Sequence, residues 1–259
     1  MRIAVFIDLD DTLFQSQRKC PVNEQLHPAA IHIDGRIQAW MTAKQRMLWH
    51  CFNNEQTLLI PTTARDLTAL RCVLLPFHHY QIIDFGAVVL NENGQPDENW
   101  LARTHSIAQA TEADLRQLIT LAQQWITANN LSLRLRYIQD FDIPLFVVAK
   151  HVEEQMQHLD LLEQAIFIPW VAERSNTYQV HRNDNNLAVL PRALDKVHAV
   201  RYLIEQFTRD WGELLTIGIG DSCSDGAFMA ACDYAMLPRE SQIFTAWINE
   251  LRQTDKPID

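Results

Sequence analysis

The sequence contains no run of lysine or arginine residues, no apolar run long enough to cross a bilayer and no C-x-x-C pair. Its 22 basic and 32 acidic residues give a net charge of -10, so most of its surface repels nucleic acid and anionic lipid. Apolar runs such as PLFVVA are far too short for a membrane span, and Asp8 interrupts the first apolar stretch too early for a signal peptide. We therefore expect neither a nucleic-acid partner nor membrane association.

The cysteines are few and are not spaced as metal ligands or as a disulfide framework. There are five, an odd number, at positions 20, 51, 72, 223 and 232. This pattern argues against structural disulfides and against a zinc ribbon, and it favours a reducing compartment, so we expect a cytoplasmic protein.

The composition is that of an ordinary globular protein. Hydrophobic residues make up 47% of the 259 residues and charged residues 21%, and the chain has neither internal repeats nor low-complexity segments. This length fits one large domain or two modest ones with a sizeable core.

Three apolar runs each end at a polar residue. Ile3 to Ile7 leads into Asp8, Leu58 to Pro61 leads into two threonines, and Leu214 to Ile219 leads through a glycine into Asp221. Runs that are apolar on both faces predict strands of a buried parallel sheet. Ligands bind at the carboxyl ends of such strands, so the pattern predicts a site there.

Each of these strands is followed by a stretch with helical character, at about 36–53, 65–75 and 225–232. The first of these helices is expected only after a long loop, residues 14–35. Strands that alternate with helices predict an α/β fold with a doubly wound parallel core.

The middle of the chain has a different pattern. Thr111 begins T-E-A-D-L, which predicts a helix N-cap and a helix to about Asn130. Leu131 to Tyr137 alternates leucine with arginine or serine, the pattern of a half-solvated strand. Further elements are predicted as a strand at 143–149, a helix at 152–165 and a strand at 178–182.

These alternating strands are typical of an antiparallel sheet, so we interpret the middle segment as a separate α+β domain inserted into the core. The turn-rich stretches NENGQPDEN (91–99) and NDNN (183–186) bracket it. The predicted division is a core domain of residues 1–90 and 187–259 and a cap domain of residues 91–186.

The acidic residues at the strand ends predict a magnesium site. Asp8 and Asp10 lie two apart on an extended chain and point the same way, and Asp221 and Asp225 follow the third strand in GDSCSD. Several carboxylates that close together cannot all stay ionised without a cation. Oxygen ligands without histidine or cysteine suit Mg²⁺ better than zinc, and the usual substrate partner of Mg²⁺ is a phosphate.

The motifs DLDDT (8–12), TTAR (62–65), a lone lysine in LDKVHAVRYL and GDSCSD (220–225) resemble the four motifs of the haloacid dehalogenase (HAD) superfamily in order and spacing. The insertion between the second motif and the lysine resembles the branch with a large α/β cap, which includes sugar-phosphate phosphatases such as those acting on sucrose phosphate and mannosyl-phosphoglycerate. The resemblance implies a Mg²⁺-dependent phosphatase for a small phosphorylated metabolite, with a sugar phosphate as the expected substrate. Nothing in the sequence predicts the individual substrate or the oligomeric state.

The resemblance also implies roles for individual residues. Asp8 would be the nucleophile and a metal ligand, and Asp10 the general acid/base and a ligand through its carbonyl. Lys196 would neutralise the charge of the aspartyl phosphate. Asp221 would bind the metal, and Asp225 would support the metal or the lysine.

The second motif and the cap supply candidates for substrate binding. Thr62 or Thr63 would hold the phosphoryl group, and the choice stays open because this chain has TAR where the family often has TGR. Arg65, His181 and Arg182 are candidate substrate contacts. The chain also departs from the family at Asp11, where glycine is common, and at DFGA (84–87), which replaces the more usual NGA.

Two other functions remain open at this point. A phosphomutase-type phosphotransferase shares this kind of cap, and it would yield a phosphorylated isomer where a phosphatase releases phosphate. A binding or regulatory module could keep the fold without turnover, but such a module would tolerate the loss of Asp10 or Lys196, and both are present.

Overall fold

The computed structural model describes residues 2–152, 156–183 and 185–254. The strands of this part of the chain, in sequence order, are β1 (Arg2–Ile7), β2 (His27–Ile31), β3 (Ile37–Met41), β4 (Thr57–Pro61), β5 (Gln81–Ile83), β6 (Val88–Leu90), β7 (Leu133–Asp140), β8 (Ile143–His151), β9 (Tyr178–Asn183), β10 (Asn186–Pro191), β11 (Leu214–Ile219) and β12 (Tyr234–Met236).

The helices are interspersed with the strands along the chain and vary widely in length. They are α1 (Ala43–Phe52), α2 (Leu67–Arg71), α3 (Glu98–Ala128), α4 (Met156–Leu162), α5 (Ile168–Ala172), α6 (Lys196–Trp211), α7 (Gly226–Met229) and α8 (Gln242–Thr254). None of the helices formed by the described residues is long and apolar enough to cross a membrane. The cytoplasmic location expected from the cysteines stays a prediction.

The chain divides into two compact units, residues 1–97 with 196–259, and residues 98–195. The limits of the inserted domain expected from the sequence, residues 91 and 186, stay a prediction. The strand β10 begins at the predicted limit, Asn186, extends to Pro191 and pairs with β8 and β9 of the second unit.

The first unit is built on a parallel sheet with the strand order β12-β11-β1-β4. The central strand β1 is apolar on both faces, and Val5 and Phe6 are fully buried. Its neighbours β4 and β11 are the other two predicted strands, so the expected α/β fold with a parallel core is confirmed. All three strands present their carboxyl ends at one edge, because they run in the same direction.

The second unit is an antiparallel sheet in the order β7-β8-β10-β9, with helices packed on one face. Leucines of α3 and aromatic residues of the α4–α5 segment cover the buried side chains of the sheet, including Val147, Val189 and Tyr178. The described part of the sheet agrees with the predicted α+β character of this region.

The segment predicted as a long loop and a helix forms a hairpin followed by a shorter helix. The strands β2 and β3 pair antiparallel, and α1 begins only after Thr42. Thr42 accepts a hydrogen bond from the backbone of Gln45, and the side chain of Gln45 accepts one from the backbone of Thr42. This reciprocal cap fixes the start of the helix. The helices predicted at 65–75 and 225–232 are likewise shorter, α2 and α7.

The helix predicted to start at Thr111 begins earlier, at Glu98. Thr111 is buried inside α3, and its hydroxyl donates to the carbonyl of Ile107, so it does not cap a helix N-terminus. The buried positions upstream, Trp100, Thr104 and Ala108, continue the three-to-four residue spacing. The helix therefore starts where this spacing of buried residues begins, and not at the threonine of the capping pattern.

The helix predicted at 152–165 continues further than expected. Residues 153–155 of the prediction lie outside the described part of the chain, as does Asp184 of the NDNN turn. From Met156 onward, α4 passes through a π-helical turn at Glu163–Phe167 into α5.

Tyr178 offers a test of the packing of the second unit, because it is fully buried and its hydroxyl donates to Asp114 at 3.0 Å. We expect Tyr178→Phe to lower the free energy of unfolding by about 1–2 kcal/mol, since a partly buried acceptor loses its donor. Tyr234→Phe is the matched control, because Tyr234 is 65% exposed. Urea unfolding followed by tryptophan fluorescence measures both, and equal stability of the two variants would contradict the assignment.

Candidate active site

The first motif leaves β1 in a tight loop at the carboxyl edge of the parallel sheet. The backbone of Asp8 still donates to Ile219 of the neighbouring strand at 2.8 Å, so the first carboxylate is anchored to the sheet. The chain then turns, with a hydrogen bond from the backbone of Asp11 to the carbonyl of Phe14 at 2.7 Å. Asp8 is only 6% exposed, so the strand delivers its carboxylate into the protein.

Three carboxylates from the two ends of the first unit meet at this edge. Oxygens of Asp8, Asp221 and Asp225 lie within 4.8 Å of one another, and all three residues are buried. The hydroxyl of Thr12 donates to Asp221 at 3.1 Å and so ties the first motif to the last. Parallel strands bring these residues together although they are far apart in sequence.

Lys196 lies between two of these carboxylates. Its Nζ atom is 2.6 Å from Oδ1 of Asp8 and 2.7 Å from Oδ1 of Asp225, and the residue is 5% exposed. Lys196 is the first residue of α6, so the start of this helix aims the ammonium group at the cluster. A buried charge of this kind persists only because it is paired.

Asp225 is held from both sides. One oxygen accepts from Lys196, and the other accepts from the backbone and the hydroxyl of Ser222, at 3.1 and 2.7 Å. Ser222 and Thr12 were not among the residues predicted from the sequence. Both lie inside the motifs GDSCSD and DLDDT, but the motif pattern does not show where their side chains point.

The two threonines after β4 differ in their hydrogen bonds. Both are buried, but the hydroxyl of Thr62 donates back to Ile60 at 3.3 Å. The hydroxyl of Thr63 accepts from the backbone of Arg65 at 3.2 Å, which leaves its proton for another acceptor. Which of the two threonines holds the phosphoryl group stays a prediction.

Asp10 does not join the buried cluster through its carboxylate. Arg65 donates from Nε and Nη2 to the two oxygens of Asp10, each at 2.8 Å. This two-point pairing fixes the plane of the carboxylate as well as its position.

The other two candidates for substrate binding belong to the second unit. Arg182 on β9 pairs with Asp160 at 3.0 Å and with Glu163 at 3.6 Å. Its neighbour His181 is in register with Ala188 of β10. Their role as substrate contacts stays a prediction.

The sequence profile of the family described as sucrose-6F-phosphate phosphohydrolase matches residues 2–258. The chain belongs to this family. It is accordingly a phosphoric monoester hydrolase of the HAD type, and the alternative of a module without turnover is wrong.

Two solved structures share the fold of this chain. The C-terminal domain of trehalose-6-phosphate phosphatase from C. albicans is 10% identical with a TM-score of 0.60, over 100% of this chain and 79% of that one. The sucrose-phosphatase of Synechocystis sp. PCC6803, solved with sucrose and phosphate, is 14% identical with a TM-score of 0.54, over 96% and 88%. At these identities the likeness shows the fold alone. No curated protein sequence matches the chain.

Two departures from the usual family motifs fall at backbone positions with positive φ. Asp11, where the family often has glycine, has φ 62°, and Phe85 in DFGA has φ 56°. Aspartate tolerates this left-handed conformation better than most residues, and Lys19 pairs with the extra carboxylate at 2.6 Å. Aspartate at position 11 is therefore compatible with the backbone of its loop, whereas Phe85 holds a conformation that bulky residues rarely adopt.

Burial and crowding shift the protonation equilibria of the cluster. Burial raises the pKa of Asp8 well above its ordinary value, and the charges of Asp225 and Asp221 add to this although Lys196 opposes it. Burial and the charge of Asp225 raise the pKa of Asp221 from 3.8 to about 7. The isolated protein therefore holds more carboxylate here than its single ammonium group stabilises.

The pKa values of Lys196 and Asp225 shift in the direction opposite to the one that burial alone would give. Burial alone would lower the pKa of Lys196, but Asp225 and Asp8 outweigh it and hold that pKa above its usual value. Burial alone would raise the pKa of Asp225, but Lys196 and Ser222 together hold it below 3.8. Asp225 and Lys196 thus form a charged pair, and Asp8 is the partner that gains least from the lysine.

Gly220 provides a test of how closely Asp225 must be held. A Cβ atom at Gly220 would lie 2.5 Å from Cβ of Asp225, whereas one at Gly226 would meet nothing within 4 Å. We expect Gly220→Ala to push Asp225 away from Lys196 and to lower kcat by about 100-fold, the size of effect that follows a misplacement of about 1 Å.

Gly226→Ala is the matched control for this substitution and should keep both activity and melting temperature. Steady-state hydrolysis of an aryl phosphate and thermal unfolding measure the two variants. Equal activity of both variants would show that the position of Asp225 does not matter.

Proposed function

We propose that this protein is a Mg²⁺-dependent phosphatase that hydrolyses a sugar phosphate through an aspartyl-phosphate intermediate on Asp8. The observation that carries the proposal is the buried cluster in which Lys196 contacts Asp8 at 2.6 Å, beside Asp221 and Asp225. The family description supports a sugar phosphate as the substrate.

The residues present fit a magnesium ion. The cluster offers only oxygen ligands, and three buried carboxylates face one ammonium group, so a divalent cation would balance the charge. We assign Asp8, Asp221 and the backbone carbonyl of Asp10 as the residues that would hold it. One oxygen of Asp225 accepts from Lys196 and the other accepts from Ser222. We therefore assign Asp225 to support of the lysine. The bound ion would supply positive charge to the phosphoryl oxygens.

In the first half-reaction, Asp8 would attack phosphorus. Lys196 contacts Oδ1, and we therefore assign Oδ2 as the nucleophile. As the bond from Oδ2 to phosphorus forms, the ester bond from phosphorus to the sugar oxygen breaks, and Asp10 gives its proton to that oxygen. Thr63 and Lys196 would stabilise the charge on the other phosphoryl oxygens.

In the second half-reaction, water would attack phosphorus and give its proton to Asp10. The bond from phosphorus to Oδ2 of Asp8 breaks, which releases inorganic phosphate and restores the carboxylate. The same residue acts as acid in the first half and as base in the second, so the proton balance closes over one turnover.

Asp8→Asn tests the nucleophile. We expect this variant to stay folded and to lose hydrolysis of 4-nitrophenyl phosphate and of sugar phosphates by roughly 10³-fold or more, because an amide cannot form the intermediate. Asp34→Asn, which removes an exposed carboxylate paired with Arg36, is the control for the charge change. The readout is phosphate release from hexose, sucrose and trehalose monophosphates.

Two results would contradict the proposal. Near-normal phosphate release by Asp8→Asn would remove the nucleophile assignment. Accumulation of a phosphorylated isomer in place of free phosphate would favour the phosphomutase alternative.

The raised pKa of Asp221 predicts how Mg²⁺ stabilises the protein at different pH. Because its pKa is about 7 in the folded state and 3.8 in the reference state, its charging opposes folding as the pH rises from about 4 to about 7. Mg²⁺ needs the charged carboxylates. We therefore expect the Mg²⁺-induced rise in melting temperature to be larger at pH 8 than at pH 5.5.

Thermal unfolding of metal-stripped protein, with and without Mg²⁺ at the two pH values, measures this difference. Asp221→Asn should reduce the pH dependence of the Mg²⁺ effect, because it removes one of the two ligands whose pKa is raised, while Asp8 remains. An equal shift at both pH values, or none at either, would contradict the metal assignment.

A further inference from the structure

Arg65 is fixed on three sides within the first unit. Two of its nitrogens donate to Asp10, and Nη1 donates to the carbonyl of Ala69 at 3.2 Å. The guanidinium carbon lies 5.1 Å from the ring centroid of Phe14, and Phe14 is fully buried. These contacts leave the guanidinium group little freedom to move.

The exposure of the pair shows which partner faces outward. The side chain of Arg65 is 9% exposed, whereas that of Asp10 is 47% exposed. Arg65 therefore supports Asp10 from the buried side, and Asp10 presents its carboxylate outward. A direct substrate contact, the role expected for Arg65 from the sequence, would require Arg65 to be the more exposed of the two side chains.

One turn of the chain builds both halves of this arrangement. The turn that follows Asp10 closes with the hydrogen bond from Asp11 to Phe14, and it places the Phe14 ring where it contacts Arg65. The loop that carries Asp10 thus also carries Phe14, the ring against which Arg65 packs.

We propose that Arg65 is a positioning residue that orients Asp10 for proton transfer, an inference that rests on the proposed function. Both oxygens of Asp10 accept from Arg65 on the side that faces the guanidinium group, so a proton carried by Asp10 lies on the outward side of one oxygen. The pairing then directs the proton toward the leaving oxygen. Arginine suits this role because its planar fork matches both carboxylate oxygens, and lysine cannot reproduce it.

This role predicts a loss of activity that depends on the leaving group. A sugar alkoxide is a strong base and needs a proton as its bond to phosphorus breaks, whereas 4-nitrophenolate leaves without one. The quantity to compare is kcat/KM, because it reports the steps up to departure of the leaving group. The ratio of the two kcat/KM values from one preparation does not depend on the fraction of folded enzyme.

We expect Arg65→Ala to lower kcat/KM for a sugar phosphate by about 100-fold or more, and for 4-nitrophenyl phosphate by less than about 10-fold. Arg65→Lys should resemble Arg65→Ala in this ratio, because it keeps the charge and loses the two-point pairing. Arg71→Ala is the control, since Arg71 is an exposed residue at the end of α2.

A double variant separates positioning from other roles. If Arg65 acts through Asp10, adding Arg65→Ala to Asp10→Asn should change the ratio of the two substrates no further. A loss that is equal for both substrates would overturn the proposal, because it indicates a structural or phosphate-binding role. A rise in KM for the sugar phosphate at unchanged kcat would also overturn it and restore the substrate contact.

The proposed function and this inference fail in different ways. The proposed function fails if Asp8→Asn keeps its activity, whatever Arg65 does. If Asp8→Asn is inactive and the Arg65 variants leave the ratio of the two substrates unchanged, the phosphatase mechanism stands and only the positioning role is lost.

Discussion

The ion pair of Lys196 with Asp8 and Asp225 is the contact on which the rest of the site depends. A buried carboxylate cluster is destabilising by itself, because each charge is removed from water and repels its neighbours. One ammonium group at 2.6 and 2.7 Å offsets part of that cost and leaves a net negative site. The remaining imbalance makes the site suited to a metal and to the phosphoryl oxygens that a metal attracts.

Much of the site could be predicted from the sequence, because the chemistry is carried by residues at strand ends. Asp8, Lys196, Asp221 and Asp225 meet as the apolar runs and motifs indicate. The supporting contacts could not be predicted. The capping of Asp225 by Ser222 and the pairing of Arg65 with Asp10 depend on side-chain directions, and an apolar or polar pattern does not encode those directions.

The fold was predictable in its sheets and less so in its connections. The parallel strands are marked by apolar runs and the second sheet by alternation, and both patterns reflect burial. Thr111 misled the prediction of α3, because a threonine followed by acidic residues resembles a cap wherever it stands, and only tertiary burial shows that it is internal. The β2–β3 hairpin turns at Asp34 and Gly35, a dipeptide that is a strong hairpin signal, but the segment was predicted as a loop (14–35) followed by a helix (36–53).

The sequence separation within the ion pair has a consequence for folding during synthesis. Asp8 and Lys196 are 188 residues apart, and β11, which completes one side of β1, begins at Leu214. While the ribosome is still making the intervening segment, β1 and β4 can pair, but the other edge of β1 stays open and its terminal carboxylate lacks a cation. Nascent chains that stop before α6 therefore expose an unpaired, apolar strand edge, the kind of surface that chaperones protect from aggregation.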